Sequence, residues 1–118
     1  MAPDVVGNRL KFSGRSAPVP VLSPPMKLFV DDLRDPPDTT WTVVRTSAEA
    51  LEILRSGVLV TDLSLDHDLG GDDTSRPVVL YLAEYGGWPA IVRVHSANPV
   101  GIEWLTGMVE RYGPGVSR

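Results

Sequence analysis

Residues 64–73 read SLDHDLGGDD, four aspartates and a histidine in ten positions, directly after an apolar run. Crowded carboxylates repel one another and raise each other's pKa unless a cation or an arginine neutralises them. A hard divalent ion such as Mg²⁺ is the natural partner of such oxygen donors. A second acidic pair, Asp31 and Asp32, follows the apolar segment KLFV. The other histidine of the chain, His95, follows AIVRV and precedes Ser96. Asp31, Asp32 and Asp66 are therefore the candidate metal ligands, with Mg²⁺ or Mn²⁺ as the expected ion. The two nearby histidines leave mixed Asp/His ligation of Mn²⁺ or Zn²⁺ open.

Imidazoles titrate near working pH, so His67 and His95 are candidates for proton transfer. Asp68 is placed to orient a histidine or to act as a base. Ser96, the backbone amides that follow it and the N-terminus of the next helix form a candidate anion seat, with Asn98 as the helix cap. Arg34 reads as a solvated side chain or as a partner of one of the acids. A metal facing an anion seat points to phosphate chemistry. Asp72 and Asp73 read differently, as loop or helix-start residues near Thr74, where their charge suits a helix N-terminus.

These groups can meet only if the elements carrying them converge. Residues 27–30 (KLFV), 41–45 (WTVVR), 58–65 (VLVTDLSL) and 90–94 (AIVRV) read as strands. Between the first two, LRDPPDTT carries two prolines and no helical period, hence a loop. Thr46 and Glu49 match a capping box that opens a helix through Ala48, Leu51 and Leu54, stopped by Gly57. A second helix fits residues 74–85, with Pro77 in its first turn and Gly86-Gly87 at its end. Asn98 and Pro99 open a third, with Ile102, Leu105, Val109 and Tyr112 as its apolar stripe and Gly113 as its stop.

The order β–β–α–β–α–β–α implies parallel strands joined by right-handed crossovers. The expected fold class is α/β, a small three-layer sandwich around a mostly parallel four-stranded sheet, receiver/flavodoxin-like and truncated. In such sheets ligands bind at the carboxyl ends of the strands, where Asp31, Asp66 and His95 all fall.

Composition narrows the partners. The chain has 118 residues, enough for one domain. Its net charge of −4 argues against an extended nucleic-acid surface but leaves recognition of a single nucleotide or an RNA end open. Without cysteine there are no disulfides and no thiolate metal sites. No segment is long and apolar enough to cross a membrane, and the N-terminus lacks a secretory core, so a cytoplasmic protein is expected. Residues 1–25 hold five of the eleven prolines and are expected to be a flexible tail, with a short strand at 9–12 compatible with their composition. Residues 26–118 are the expected domain. Trp88 and Trp104 read as packing residues rather than base-stacking platforms.

With these residues in place the chain resembles a receiver-type domain. An acidic pair after strand one, an aspartate after strand three and a hydroxyl residue after strand four match Asp31 and Asp32, Asp66, and Ser96. In response regulators such residues bind Mg²⁺, accept the phosphoryl group and contact it. Three features depart from the ordinary response regulator. Residues 33–40 are too few for its first helix, no fifth strand with a phosphate-contacting lysine is expected, and His67 and Asp68 follow the acceptor-like aspartate. The chain is more similar to the divergent cyclic-phosphate processing receiver domains, through MKLFVDDLRDP, LDHDLGG and HSANPVG in that order.

That resemblance implies a metal-assisted phosphodiesterase or phosphohydrolase acting on cyclic phosphates, such as a 2′,3′-cyclic nucleotide or an RNA end. Its catalytic set would be Asp66, His67, Asp68 and His95, with Arg34, Ser96 and Asn98 on the phosphate. A non-catalytic receiver-like module that binds a metal, a nucleotide or a protein partner is the alternative.

Overall fold

The computed structural model describes residues 24–118. The tail expected over residues 1–25, including the candidate strand at 9–12, lies outside the described residues apart from Pro24 and Pro25. The elements are β1 (Met26–Val30), β2 (Trp41–Val44), α1 (Ser47–Arg55), β3 (Val60–Leu65), α2 (Arg76–Tyr85), β4 (Ile91–Val94) and α3 (Pro99–Tyr112). All four strands are parallel, in the order β2-β1-β3-β4.

Local signals account for the helix ends. The Thr46 side chain accepts from the Glu49 amide, and Glu49 returns the bond to the Thr46 amide, so the capping box forms as expected. Asn98 accepts from the Gly101 amide at 3.1 Å and caps α3, with Pro99 in its first turn. α2 starts at Arg76, two residues later than expected. Thr74 is taken up in an antiparallel bridge to Asp68, which holds the preceding chain in a closed loop. β3 starts at Val60 rather than Val58, and Leu59 just before it is exposed.

Topology decides the layers. The β2-to-β3 and β3-to-β4 crossovers step the same way across the sheet, so right-handed connections put α1 and α2 on one face. α3 joins them by packing on α2 and β4. On that face Leu28, Val30, Leu63, Leu65 and Val92 pack against Ala50, Val78, Val79, Leu82, Leu105 and Val109. Each fully buried Leu or Val contributes about 1.5–3 kcal/mol relative to exposure. The step from β1 to β2 runs the other way, and a helix there would cover the second face. The connection is instead a Pro-containing loop without a helix. Of the three layers expected, the described residues form two. Strand alternation turns Lys27, Phe29, Trp41, Ser64 and Arg93 toward the other face, the helix-free face, which no helix of the described residues covers.

Two expectations need correction. The buried face of α3 is Gly101, Leu105 and Val109, while Ile102 and Tyr112 of the expected stripe are exposed. The helix is turned so that Gly101 meets His67, as described below. A further pairing also follows α3. Val116 makes a parallel bridge to Val92, and the Ser117 amide donates to the Val92 carbonyl at 2.8 Å. The Gly-Pro-Gly turn at 113–115, with Gly115 at φ 85°, sends the chain back along β4, on the edge where a fifth strand would lie.

Candidate functional site

Asp31, Asp66 and His95 each follow the last residue of a parallel strand, so register alone sets them side by side. Backbone bonds continue the ladder past the strand ends: the Asp66 amide donates to Val30 at 2.9 Å and the His95 amide to Leu65 at 2.9 Å. Side-chain oxygens of Asp31, Asp32 and Asp66 lie within 4.8 Å of one another. Asp31 is fully buried, Asp66 nearly so, and Asp32 is half-buried. The donor set is carboxylate oxygen only, which fits a hard divalent cation better than a thiophilic one.

Asp31 is the most constrained of the three. Its Oδ1 accepts from the Leu33 and Arg34 amides at 2.9 and 2.8 Å. Its Oδ2 meets His95 Nε2 at 2.9 Å. Burial raises its pKa, but the two amides and the imidazole outweigh it and hold the carboxyl below the usual carboxylate range. Arg34 Nη1 lies 3.6 Å from Asp31 Oδ2 and 3.9 Å from Asp66 Oδ2, and it donates to the His95 carbonyl at 2.7 Å. Arg34 therefore spreads one positive charge over the acidic cluster. Arg45 supports the same loop by donating to the carbonyls of Asp31 and Arg34 at 3.0 and 2.8 Å.

His95 is held at both nitrogens. Burial pushes its imidazole below the ordinary pKa, against the pull of Asp31 and Asp66. In the neutral ring Nε2 donates to Asp31, and Nδ1 accepts from the Ser64 hydroxyl at 2.7 Å. The ring of Phe29 stacks on it, with centroids 4.5 Å apart and planes within 9°. Ser64 and Phe29 carry no signal of this role in the sequence beyond the inward–outward alternation of β3 and β1.

His67 is placed differently. Its ring is buried against the start of α3, where a Cβ on Gly101 would sit 2.6 Å from His67 Cβ and 2.8 Å from Nδ1. Arg76 Nε donates to His67 Nε2 at 2.8 Å, so the ring proton sits on Nδ1 and goes to Asp68 Oδ1 at 2.9 Å. Asn98 donates to the other Asp68 oxygen at 3.0 Å. The His67 bond, then the Asn98 bond, hold the Asp68 carboxyl below the usual carboxylate range. Asp68 is thus clamped between a buried histidine and the cap of α3. Arg76, which also lies over the Trp104 ring at 4.6 Å, is the member of this group that sequence reasoning missed. Trp104 and Trp88 both pack against the core, as expected.

The remaining motif residues divide. Asp32, Arg34, Asp66, Asp68, Ser96 and Asn98 share one cleft of about 410 Å³ at the strand ends. Gly70 closes one wall at φ 88°, where a Cβ would come within 3.1 Å of Asp32 Oδ2. Ser96 Oγ accepts from the Asn98 amide at 3.1 Å, which leaves its proton to donate elsewhere. Asp73 does not serve the helix that follows it. It accepts from the Ser47 amide at 2.8 Å and the Ser47 hydroxyl at 2.5 Å, stapling the 66–75 loop to the N-terminus of α1. Asp72 is exposed.

No helix among the described residues is long and apolar enough to cross a membrane. No curated protein and no solved structure gives a match to this chain. A family description, cyclic-phosphate processing receiver domain, matches residues 26–111. The match spans all four strands and all but the last residue of α3, including every strand-end acid and both histidines, and the chain belongs to that family.

Proposed function

We propose that this protein is a metal-assisted hydrolase of cyclic phosphates, with a 2′,3′-cyclic nucleotide or RNA end as substrate. The observation that carries the reading is the three-carboxylate cluster, of which Asp32 and Asp66 line a cleft together with Asp68, Arg34, Ser96 and Asn98. Asp32 and Asp66 would hold Mg²⁺ or Mn²⁺, with Asp31 buried behind them. When bound, such an ion neutralises phosphoryl oxygens and lowers the pKa of water. Arg34 and the Ser96 hydroxyl then contact the remaining phosphate oxygens, and Asn98 holds the N-terminus of α3 against them.

Asp66, at the position that accepts the phosphoryl group in response regulators, would either attack phosphorus, breaking one P–O ester bond and forming an aspartyl phosphate that water then hydrolyses, or orient a water that breaks the same ester bond directly. His95, hydrogen-bonded to Asp31 beside the cluster, is the histidine closest to proton transfer. His67 acts through Asp68, which it fixes in place at the rim of the cleft, where Asp68 takes a proton from the attacking water. The test is hydrolysis of a 2′,3′-cyclic nucleotide with Mg²⁺ or Mn²⁺, wild type beside Asp66→Ala and His95→Ala. Loss of turnover in both variants is expected; near-full rate in Asp66→Ala removes Asp66 from the mechanism.

One observation favours a second reading, a module that binds metal or nucleotide without turning it over. Both nitrogens of both histidines are engaged by neighbouring side chains, so neither imidazole is free in this arrangement. A folded protein that binds the ion and hydrolyses no cyclic phosphate would establish that reading.

A further inference from the structure

A second cleft, of about 630 Å³, adjoins the acidic one. The two share Arg34, Ser96 and Ala97 as a common ridge. Beyond the ridge the chemistry changes. In place of Asp32, Asp66 and Asp68 the lining becomes Phe29, Pro37, Ser64 and His95, with one carboxylate, Asp35. Strand alternation puts Phe29 and Ser64 on the helix-free face, so the second cleft opens there. It exists because the loop between β1 and β2 carries no helix that would cover this ground.

Resting on the reading of the acidic cleft as a phosphate site, we propose that the second cleft is the subsite for the nucleoside half of the substrate. A phosphate held at Arg34 and Ser96 stands on the ridge itself, so its ester substituent can leave in either direction. Toward the acidic side it would meet carboxylates. Toward the helix-free face it meets the partly exposed ring of His95, backed by the buried Phe29, beside a proline and an alanine. A flat ring or sugar face suits that surface, and the exposed Asp35 carboxylate offers an acceptor for ribose or base donors. A cyclic phosphate bearing only a small polyol would leave these surfaces wet. The site therefore selects nucleoside cyclic phosphates over small alkyl ones.

The test is a binding series on the full chain with Mg²⁺: inorganic phosphate, glycerol 1,2-cyclic phosphate and adenosine 2′,3′-cyclic phosphate. Titrations are followed by calorimetry and by amide and ring NMR shifts. The nucleoside compound is expected to bind about tenfold tighter than the glycerol compound, the low end of what base–aromatic stacking supplies. It should also shift Phe29 and Ser64 signals that inorganic phosphate leaves in place. Pro37→Ala, an exposed loop change, should erode that preference severalfold without altering phosphate affinity. Equal affinity of the two cyclic phosphates, with phosphate itself bound at the acidic cleft, overturns the subsite and leaves the phosphate site standing. Failure of all three to bind overturns both.

Discussion

His95 Nε2 lies 2.9 Å from Asp31 Oδ2, across 64 residues of chain, in a bond that joins the buried carboxylate of β1 to the end of β4. Ser64 on β3 completes the line from the other side of the ring. One residue from each of three adjacent strands thus fixes the geometry behind the acidic cleft.

That arrangement sets the acid limb of stability. Asp31 and His95 both have folded pKa values below their ordinary ones. In each case the unfolded chain binds protons more readily, so stability falls as pH falls. In metal-free protein the decline should begin near pH 6.5, the ordinary histidine value, and resume below about pH 4 as Asp31 is titrated. Urea melts from pH 8 to pH 3 check this, and His95→Gln should flatten the upper part and shrink, without removing, the lower one. A flat wild-type curve between pH 7 and pH 5 would remove the His95 contribution.

Asp31→Asn tests the same carboxylate directly. An amide offers one acceptor oxygen where the carboxylate uses two, so either the Leu33 and Arg34 amides lose their acceptor, or His95 loses its own or must move its proton to Nδ1 and reverse its bond to Ser64. A buried group left unpaired costs about 1–3 kcal/mol. The expected drop in unfolding free energy is of that order, read from denaturant melts at pH 7.

Asp32→Ala should act with opposite signs in the two ionic states. Without metal it removes one of three crowded carboxylates and should raise the melting temperature slightly. With Mg²⁺ in excess, the wild type should gain about 2.7 kcal/mol at a hundredfold excess over the dissociation constant, and the variant should gain little. Thermal melts with EDTA and with Mg²⁺ measure both. Equal Mg²⁺ shifts in the two proteins would take Asp32 out of the metal site.

Two glycines of α3 should respond in opposite directions. Gly101→Ala drives a Cβ into the His67 ring, a clash expected to cost about 1–3 kcal/mol. Gly107→Ala meets nothing within 4 Å and should stabilise the helix by about 0.5–1 kcal/mol. A neutral Gly101→Ala would mean that His67 is free to move, against the packing described.

Arg76→Ala probes the clamp on Asp68. It strips the donor from the buried His67 Nε2 and the cation from the Trp104 face. A loss of about 1–3 kcal/mol is expected. The ¹⁵N shift of His67 Nε2 should report the lost hydrogen bond, which a purely packing role for Arg76 would not produce, while the proton stays on Nδ1 against Asp68.

Much of this was legible in the sequence because local chemistry wrote it. The capping box at Thr46, the Asn98–Pro99 helix start and the apolar runs ending in acids are each read within a few residues. Parallel pairing then brings Asp31, Asp66 and His95 to one rim, since each follows the last residue of its strand. What the sequence could not show depends on side-chain direction and on contacts between distant segments. Nothing local reveals that His67 turns under Gly101 toward Arg76, that Asp73 serves α1 rather than α2, or that Ser64 holds His95. The helix-free face is likewise a tertiary result. Absence of a helix between β1 and β2 is visible in the sequence, but only the strand order, with the handedness of its crossovers, decides which face that absence leaves open.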